Sequence, residues 1–194
     1  MKLRIKDFLI GLIPLKRLRH KLKLQYGTYP YNVLGKNVYI GTSENLKLGK
    51  YIFIGDNARL CCEGGLEIGS HTKIGLDVLI LTSNHNYKSK EMLPYDEYDY
   101  KQKVIIGKNC WIGARVTICP GVKIEEGAII GAGSVVTKSI PRCAIAAGNP
   151  ARIIGYRDIK VYDELDRAGK CINFENMKDK KWIETGEYKE YLSC

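Results

Sequence analysis

A parallel β-helix is the fold class that this sequence predicts, and three observations predict it. Branched apolar residues recur at a spacing of six, which neither a helix nor an ordinary strand has. Glycine follows nine of these positions, and a residue that tolerates positive φ, such as Asn37 or Asn57, often comes two positions later. The 14 repeat positions are Leu34, Ile40, Leu48, Ile54, Leu60, Ile68, Ile74, Ile80, Ile106, Ile112, Ile118, Ile124, Ile130 and Val136.

Each six-residue repeat predicts one side of a coil, made of a short strand and a corner. Three sides close a coil of about eighteen residues, so 14 positions give a little under five coils. The repeat residue points inward and stacks on the next coil, which makes the core. We expect the glycines to supply positive φ at the corners, and the two-residue slips before Leu48 and Ile68 to mark longer corners.

The pattern divides the 194 residues into three segments. Residues 1–30 are expected to form an N-terminal amphipathic helical segment, and residues 31–157 the β-helix domain. Residues 158–194 are expected to form a C-terminal helical extension. Within the β-helix the pattern fails between Ile80 and Ile106, where residues 86–103 carry charges, a proline and four tyrosines. We interpret this stretch as an excursion loop.

The formal net charge of +10 is concentrated at one end of the chain. Residues 1–24 carry eight Lys or Arg and one Asp, so the other 170 residues carry only +3. This distribution argues against a nucleic-acid-binding protein. The basic segment fits either a helix packed on the end of the coils, which we favour, or an interfacial helix at an anionic membrane. Without a membrane-spanning run or a signal-peptide pattern, we expect a cytoplasmic protein, with peripheral membrane contact as the alternative.

The seven cysteines show no CxxC spacing, which favours free thiols in a reducing compartment. With three histidines in the chain and no clustered ligands, the sequence predicts no metal site. His85 differs from an ordinary surface histidine because it immediately precedes the excursion loop. Insertions in solenoids often build the binding site, and imidazole is the natural base at neutral pH. His85 is therefore the candidate catalytic residue.

Three motifs resemble hexapeptide-repeat acyltransferases, in particular maltose and galactoside O-acetyltransferases, nodulation acetyltransferases and capsular-polysaccharide O-acetyltransferases. The motifs are NCWIG at Asn109–Gly113, GAGSVVTK at Gly131–Lys138 and AAGNPAR at Ala146–Arg152, and the resemblance covers residues 34–155. It implies a left-handed parallel β-helix that assembles as a homotrimer. It also implies acetyl-CoA as co-substrate, bound in the clefts between subunits.

The resemblance also implies roles for individual residues. His85 occupies the place of the family's catalytic histidine, although Asn84 and Asn86 replace the usual Gly and Pro around it. A sugar-binding carboxylate aligns with Glu63, which could orient an acceptor hydroxyl or the His85 ring. The family's supporting asparagine aligns with a glycine, which leaves Asn57 as a substitute, and Asn84 is a further acceptor candidate. The implied acetyl-CoA groove contains Trp111, Ala114, Ala132, Thr137, Lys138 and Arg152.

The sequence therefore predicts an acetyl-CoA-dependent O-acetyltransferase. His85 would deprotonate a sugar or polysaccharide-precursor hydroxyl, which then attacks the acetyl carbonyl directly. A cysteine nucleophile is less favoured, because Cys61, Cys62 and Cys110 have no evident base. Three alternatives stay open: an N-acetyltransferase of an amino sugar, amino acid or antibiotic, a non-catalytic trimeric scaffold, and a metal-dependent hydratase. The hydratase is disfavoured because only two histidines lie in the repeats.

Overall fold

The computed structural model describes residues 31–172, which form a β-solenoid with three parallel sheets as its sides. Each turn passes through sheet A, then sheet B, then sheet C, and the strands of successive turns pair in register. The predicted class is confirmed, whereas the expected left-handed sense stays a prediction. The predicted N-terminal segment, residues 1–30, lies outside the described residues, and so does the part of the predicted C-terminal extension (158–194) from residue 173 onward.

The strands are short, as a six-residue side requires. Sheet A contains β1 (Val33–Leu34), β4 (Phe53–Ile54), β7 (Lys73–Ile74), β12 (Trp111–Ile112), β15 (Ile129–Ile130), β17 (Ala144–Ala147) and the antiparallel β18 (Arg152–Tyr156). Sheet B contains β2 (Tyr39–Ile40), β5 (Arg59–Leu60), β8 (Leu79–Ile80), β13 (Thr117–Ile118) and β16 (Val135–Val136). Sheet C contains β3 (Leu46–Leu48), β6 (Leu66–Ile68), β11 (Val104–Ile106) and β14 (Lys123–Ile124). A short 3-10 helix spans Ser43–Asn45.

All 14 repeat positions are buried, and they stack from turn to turn to form one apolar core. The turn count is slightly higher than predicted. Sheet A has six parallel strands, because Ile140 bridges to Ile124 and Ala146 lies in β17. The six-residue pattern missed both residues, since the spacing from Val136 to Ile140 is four and not six.

Positive φ was predicted both for the polar corner residues and for the glycines after repeat positions, and the structure confirms it only for the polar residues. Asn37, Asn57, Asp77 and Asn109 adopt positive φ, between 54° and 59°. The nine glycines that follow repeat positions do not, so the expectation that they supply positive φ was wrong. These glycines are needed for close approach instead. A Cβ on Gly113 would lie 2.6 Å from the backbone nitrogen of Ala132 in the next turn.

The corners between sheets C and A carry the single described α-helix, α1 (Ile159–Arg167). Asp158 caps its N-terminus by accepting hydrogen bonds from the backbone of residues 160 and 161. Tyr162 packs against Gly127, and Lys108 forms a 2.6 Å ion pair with Asp166. The helix therefore clamps successive turns along one edge. No helix among residues 31–172 is long and apolar enough to cross a membrane.

Candidate functional site

The interruption of the repeat is a β-hairpin that leaves the solenoid at the corner between sheets B and C. Its strands are β9 (Ser83–His85) and β10 (Asp99–Lys101), paired antiparallel. The buried Thr82 anchors the start of the hairpin. Its hydroxyl donates to the Cys61 carbonyl at 2.7 Å and accepts from the Gly64 amide at 2.8 Å. The hairpin is thus fixed to the preceding turn where it begins.

His85 ends β9 and faces Asp99 directly across the hairpin. The Nδ1 atom of His85 lies 2.7 Å from Oδ1 of Asp99. A carboxylate only accepts hydrogen bonds, so Nδ1 must carry the proton, and Nε2 of the neutral ring keeps its lone pair. The side chains of His85 and Asp99 are 55% and 51% exposed. The arrangement therefore presents an oriented base to a molecule arriving from solvent.

A tyrosine covers one face of this imidazole. The ring of Tyr95 lies parallel to the ring of His85, with 4.0 Å between centroids and 8° between planes. Next to it, the Asp96 carboxylate accepts hydrogen bonds from the Asn86 side chain at 2.7 Å and the Tyr98 amide at 3.0 Å. Desolvation opposes the charged form of Asp96, but bonds from Tyr98, Ser89 and Asn86 outweigh it and lower its pKa. The hairpin is consequently tied together around its histidine.

The three residues expected to bind the acceptor lie at two different corners. Asn84 adjoins the base, and its Oδ1 accepts from the His85 amide at 3.0 Å. Glu63 lies at the same corner one turn earlier, in the turn that Thr82 holds. The His85 ring, however, is paired with Asp99, not with Glu63. Asn57 lies at the corner between sheets A and B, where it bonds to Asn37 and Asp77, so a single chain does not bring it to His85.

The residues expected to bind the donor also divide between corners. Ala114 and Ala132 stack at the corner between sheets A and B, and Arg152 lies there beside Ala147, its partner in β17. Thr137 and Lys138 are exposed at the corner between sheets B and C, on the same edge as the hairpin. Trp111 stands on the outer face of sheet A with 57% of its surface exposed.

The cysteines do not look like nucleophiles. Desolvation raises the pKa of Cys62 and Cys110 to about 12, and the nearby Glu63 charge adds to the effect at Cys62. The pKa of Cys61 is also raised, mainly by burial. Since the thiolate is the reactive form, these thiols are poor nucleophiles at neutral pH.

Within residues 31–172 no group of three metal-ligating side chains occurs.

A cavity of about 550 Å³ lies between α1 and sheet A, at the corner between sheets C and A. His71, Lys73, Trp111, Tyr162 and Leu165 are among its lining residues. Desolvation lowers the pKa of Lys73 to about 8, and its ammonium donates to the Tyr51 carbonyl at 2.8 Å. This corner is not the one that carries His85, so the cavity and the hairpin are separate places in one chain.

The sequence did not identify Asp99 or Tyr95. Both lie in the excursion loop, where no six-residue spacing gives a register. A hairpin returns to the corner from which it leaves, so residues late in the loop come back near His85. The candidate acidic partners of the His85 ring are then those at positions 96, 97 and 99. Choosing among these three needed the strand pairing.

Comparisons with known proteins agree with this fold. The family model described as bacterial transferase hexapeptide (six repeats) matches residues 103–138. WcaF of Escherichia coli K12, by name a colanic acid biosynthesis acetyltransferase, is 34% identical over 130 residues, which are 64% of this chain and 69% of WcaF. A galactoside O-acetyltransferase of Lactococcus lactis is 36% identical over 147 residues, covering 74% of this chain and 64% of the relative.

Solved structures give the same result. A maltose O-acetyltransferase from Clostridium difficile 630 superposes with a TM-score of 0.63 at 27% identity, covering 81% of this chain and 85% of the other. A galactoside acetyltransferase in complex with coenzyme A superposes with a TM-score of 0.60 at 26% identity, covering 84% and 82%.

Proposed function

The chain belongs to the hexapeptide-repeat acetyltransferases, and from this premise we propose that it transfers an acetyl group from acetyl-CoA to a hydroxyl of a sugar or polysaccharide precursor. The proposed donor is supported by the related galactoside acetyltransferase, whose structure was solved with coenzyme A. The acceptor class is supported by relatives that are named for galactosides, maltose and colanic acid.

The observation that carries the mechanism is the 2.7 Å contact between His85 and Asp99. Nε2 of His85 removes the proton from the acceptor hydroxyl while the oxygen attacks the acetyl carbonyl. The imidazolium that forms is stabilised by the Asp99 carboxylate, and it then protonates the departing thiolate of CoA. No acyl-enzyme is involved, which agrees with the raised thiol pKa values of Cys62 and Cys110.

The division of the donor residues supports a homotrimer with its sites between subunits. Ala114, Ala132 and Arg152 lie on one edge of sheet B, whereas Thr137, Lys138 and His85 lie on the other. A single cleft that uses both sets needs one edge from each of two copies. Three solenoids with sheet B toward a common axis bring unlike edges together three times, which gives three acetyl-CoA clefts. The same pairing would bring Asn57 of one copy toward the hairpin of the next.

The hairpin also supplies surface for an acceptor. Tyr87 and Tyr98 are exposed and offer apolar faces on which a sugar ring can stack. Glu63 and Asn84 lie at the same corner as candidate hydrogen-bond partners for its hydroxyls. We further propose that the reaction is cytoplasmic, where acetyl-CoA is available. Peripheral membrane contact through residues 1–24 would bring the enzyme near a membrane-held glycan.

The test is a set of binding and turnover measurements on the full-length protein. Calorimetry should show saturable binding of acetyl-CoA, and its absence at millimolar concentration would overturn the proposed donor. Turnover is then measured as CoA release with simple glycosides and polysaccharide precursors, and with amino sugars and amino acids in parallel. Product mass spectrometry should place the acetyl group on a hydroxyl. Turnover with amines alone would replace the O-acetyltransferase with an N-acetyltransferase.

A further inference from the structure

Tyr95 is placed to control the catalytic histidine. Its ring lies flat on the His85 ring, with a centroid separation of 4.0 Å. Its neighbour Asp96 is bonded to Asn86, the residue after the histidine, and to the backbone of Tyr98. Tyr95 is therefore connected to both sides of the hairpin, although 43% of its surface is exposed.

We propose that Tyr95 is a positioning residue that holds the His85 ring so that only one face and the Nε2 edge are open to the acceptor. The inference rests on the proposed function. The hydrogen bond to Asp99 restrains Nδ1, but a single hydrogen bond at an exposed side chain still allows χ1 and χ2 of His85 to vary. The flat contact with Tyr95 fixes the plane, and the two contacts together fix the direction of the Nε2 lone pair. A base aimed within 10–20° of the productive direction is what proton transfer requires.

The contact has a second consequence during the reaction. When His85 takes the acceptor proton it becomes a cation, and a cation over an aromatic face is attracted to the ring. The electron-rich phenol face then stabilises the charged intermediate form of the base together with the Asp99 carboxylate. The effect belongs to the ring face and not to the hydroxyl, so a phenylalanine retains most of it.

Four proteins test this: wild type, Tyr95→Leu, Tyr95→Phe and Tyr156→Leu. Tyr156 is the matched control, because it is a tyrosine of similar exposure that lies outside the hairpin and has no proposed role in substrate binding. We expect Tyr95→Leu to lower kcat about three- to tenfold, the range that follows from the usual strength of an aromatic pair. The KM for the acceptor should change little, and Tyr95→Phe should restore the rate. A raised acceptor KM with unchanged kcat would overturn the proposal in favour of direct acceptor binding.

Nuclear magnetic resonance supplies a readout that needs no turnover. The chain has three histidines, and His85→Ala identifies the ring signals of His85. The ring current of Tyr95 should shift these signals upfield in wild type and in Tyr95→Phe, but not in Tyr95→Leu. Equal signals in all four proteins would overturn the stacking whatever the enzyme acetylates. A wild type that shows the stacking but transfers no acetyl group would overturn the proposed function instead.

Discussion

The coil stack and the hairpin are built on opposite principles. The stack repeats the same inward positions on each side, so its buried apolar core, which includes all 14 repeat positions, is built from residues in equivalent environments. In the hairpin each side chain does something different: His85, Asp99, Tyr95 and Asp96 are each held by a specific partner at the surface. Under the proposed mechanism, stability and chemistry therefore reside in separable parts of this chain.

The largest expected effect is the loss of activity in His85→Ala. General base catalysis contributes about 10²- to 10⁴-fold to rate, so the acetyl-transfer rate should fall by that factor. The melting temperature should stay within a few degrees, since the side chain is more than half exposed. CoA release and thermal denaturation on the same samples measure both. An unchanged rate would show that the hairpin does not carry the chemistry.

The converse change is Ile54→Ala in the stack. Ile54 is fully buried, and truncating such a residue costs about 2–5 kcal/mol of unfolding free energy. Denaturant unfolding measures this loss, while the turnover of the remaining folded protein should match wild type. Lys50→Ala, at an exposed corner, is the control and should change stability by less than about 0.5 kcal/mol. A large fall in the turnover of folded Ile54→Ala protein would mean that the coil stack and the hairpin are coupled.

A smaller effect is expected for Asp99→Asn, which keeps an acceptor for the ring but removes the charge. A hydrogen bond to a charged group is worth about 1.5–3 kcal/mol, and the exposure of this one places it near the lower end, so kcat should fall about tenfold. Glu97→Gln removes an equal charge from the same hairpin and should leave kcat unchanged. Equal losses in both variants would indicate a general charge effect and not the His85 contact.

The smallest expected effect is a pH dependence of the unfolding free energy that arises in the coil stack, at Lys73. Desolvation lowers the pKa of Lys73, in sheet A, from 10.5 to about 8. Between those values the unfolded chain binds a proton that the folded chain does not, so wild-type stability should rise from pH 8 to pH 10.5 relative to Lys73→Met. Because Lys73 is only half-buried, screening reduces the expected gain to about 1 kcal/mol. Urea unfolding of both proteins across this range checks it, and a parallel pH dependence would contradict the assignment.

Sequence reasoning succeeded where the molecule repeats. Every repeat position from Leu34 to Val136 is buried, because stacking imposes the same environment on each. It missed Ile140, where a shortened corner breaks the period, and it assigned the wrong reason to the glycines. A sequence shows that glycine is needed but not whether the need is positive φ or a neighbouring backbone.

At the candidate site, the position of His85 before the excursion loop made it the candidate base, and this stays a prediction. Its hydrogen-bond and stacking partners could not be predicted. Asp99 is fourteen residues away, and it meets His85 only through the register of a hairpin that follows no period. Glu63 lies at the same corner as His85, but the His85 ring contacts Asp99 and not Glu63. The proposed roles of Asn57 and Lys138 stay predictions, because they depend on how copies of the chain would pack.

The two sides of the hairpin contribute different side chains to the candidate site. The outgoing strand carries the imidazole, and the returning segment carries the carboxylate and the ring that hold it. The bend between them is open, with Leu93 at 93% exposure. A single peptide-bond cut there would leave the coils intact, and we expect it to weaken the hold of Asp99 and Tyr95 on His85, because the two strands would then be joined only through the coils. Under the proposed mechanism, an intact loop is therefore a condition for full activity that is separate from the stability of the fold.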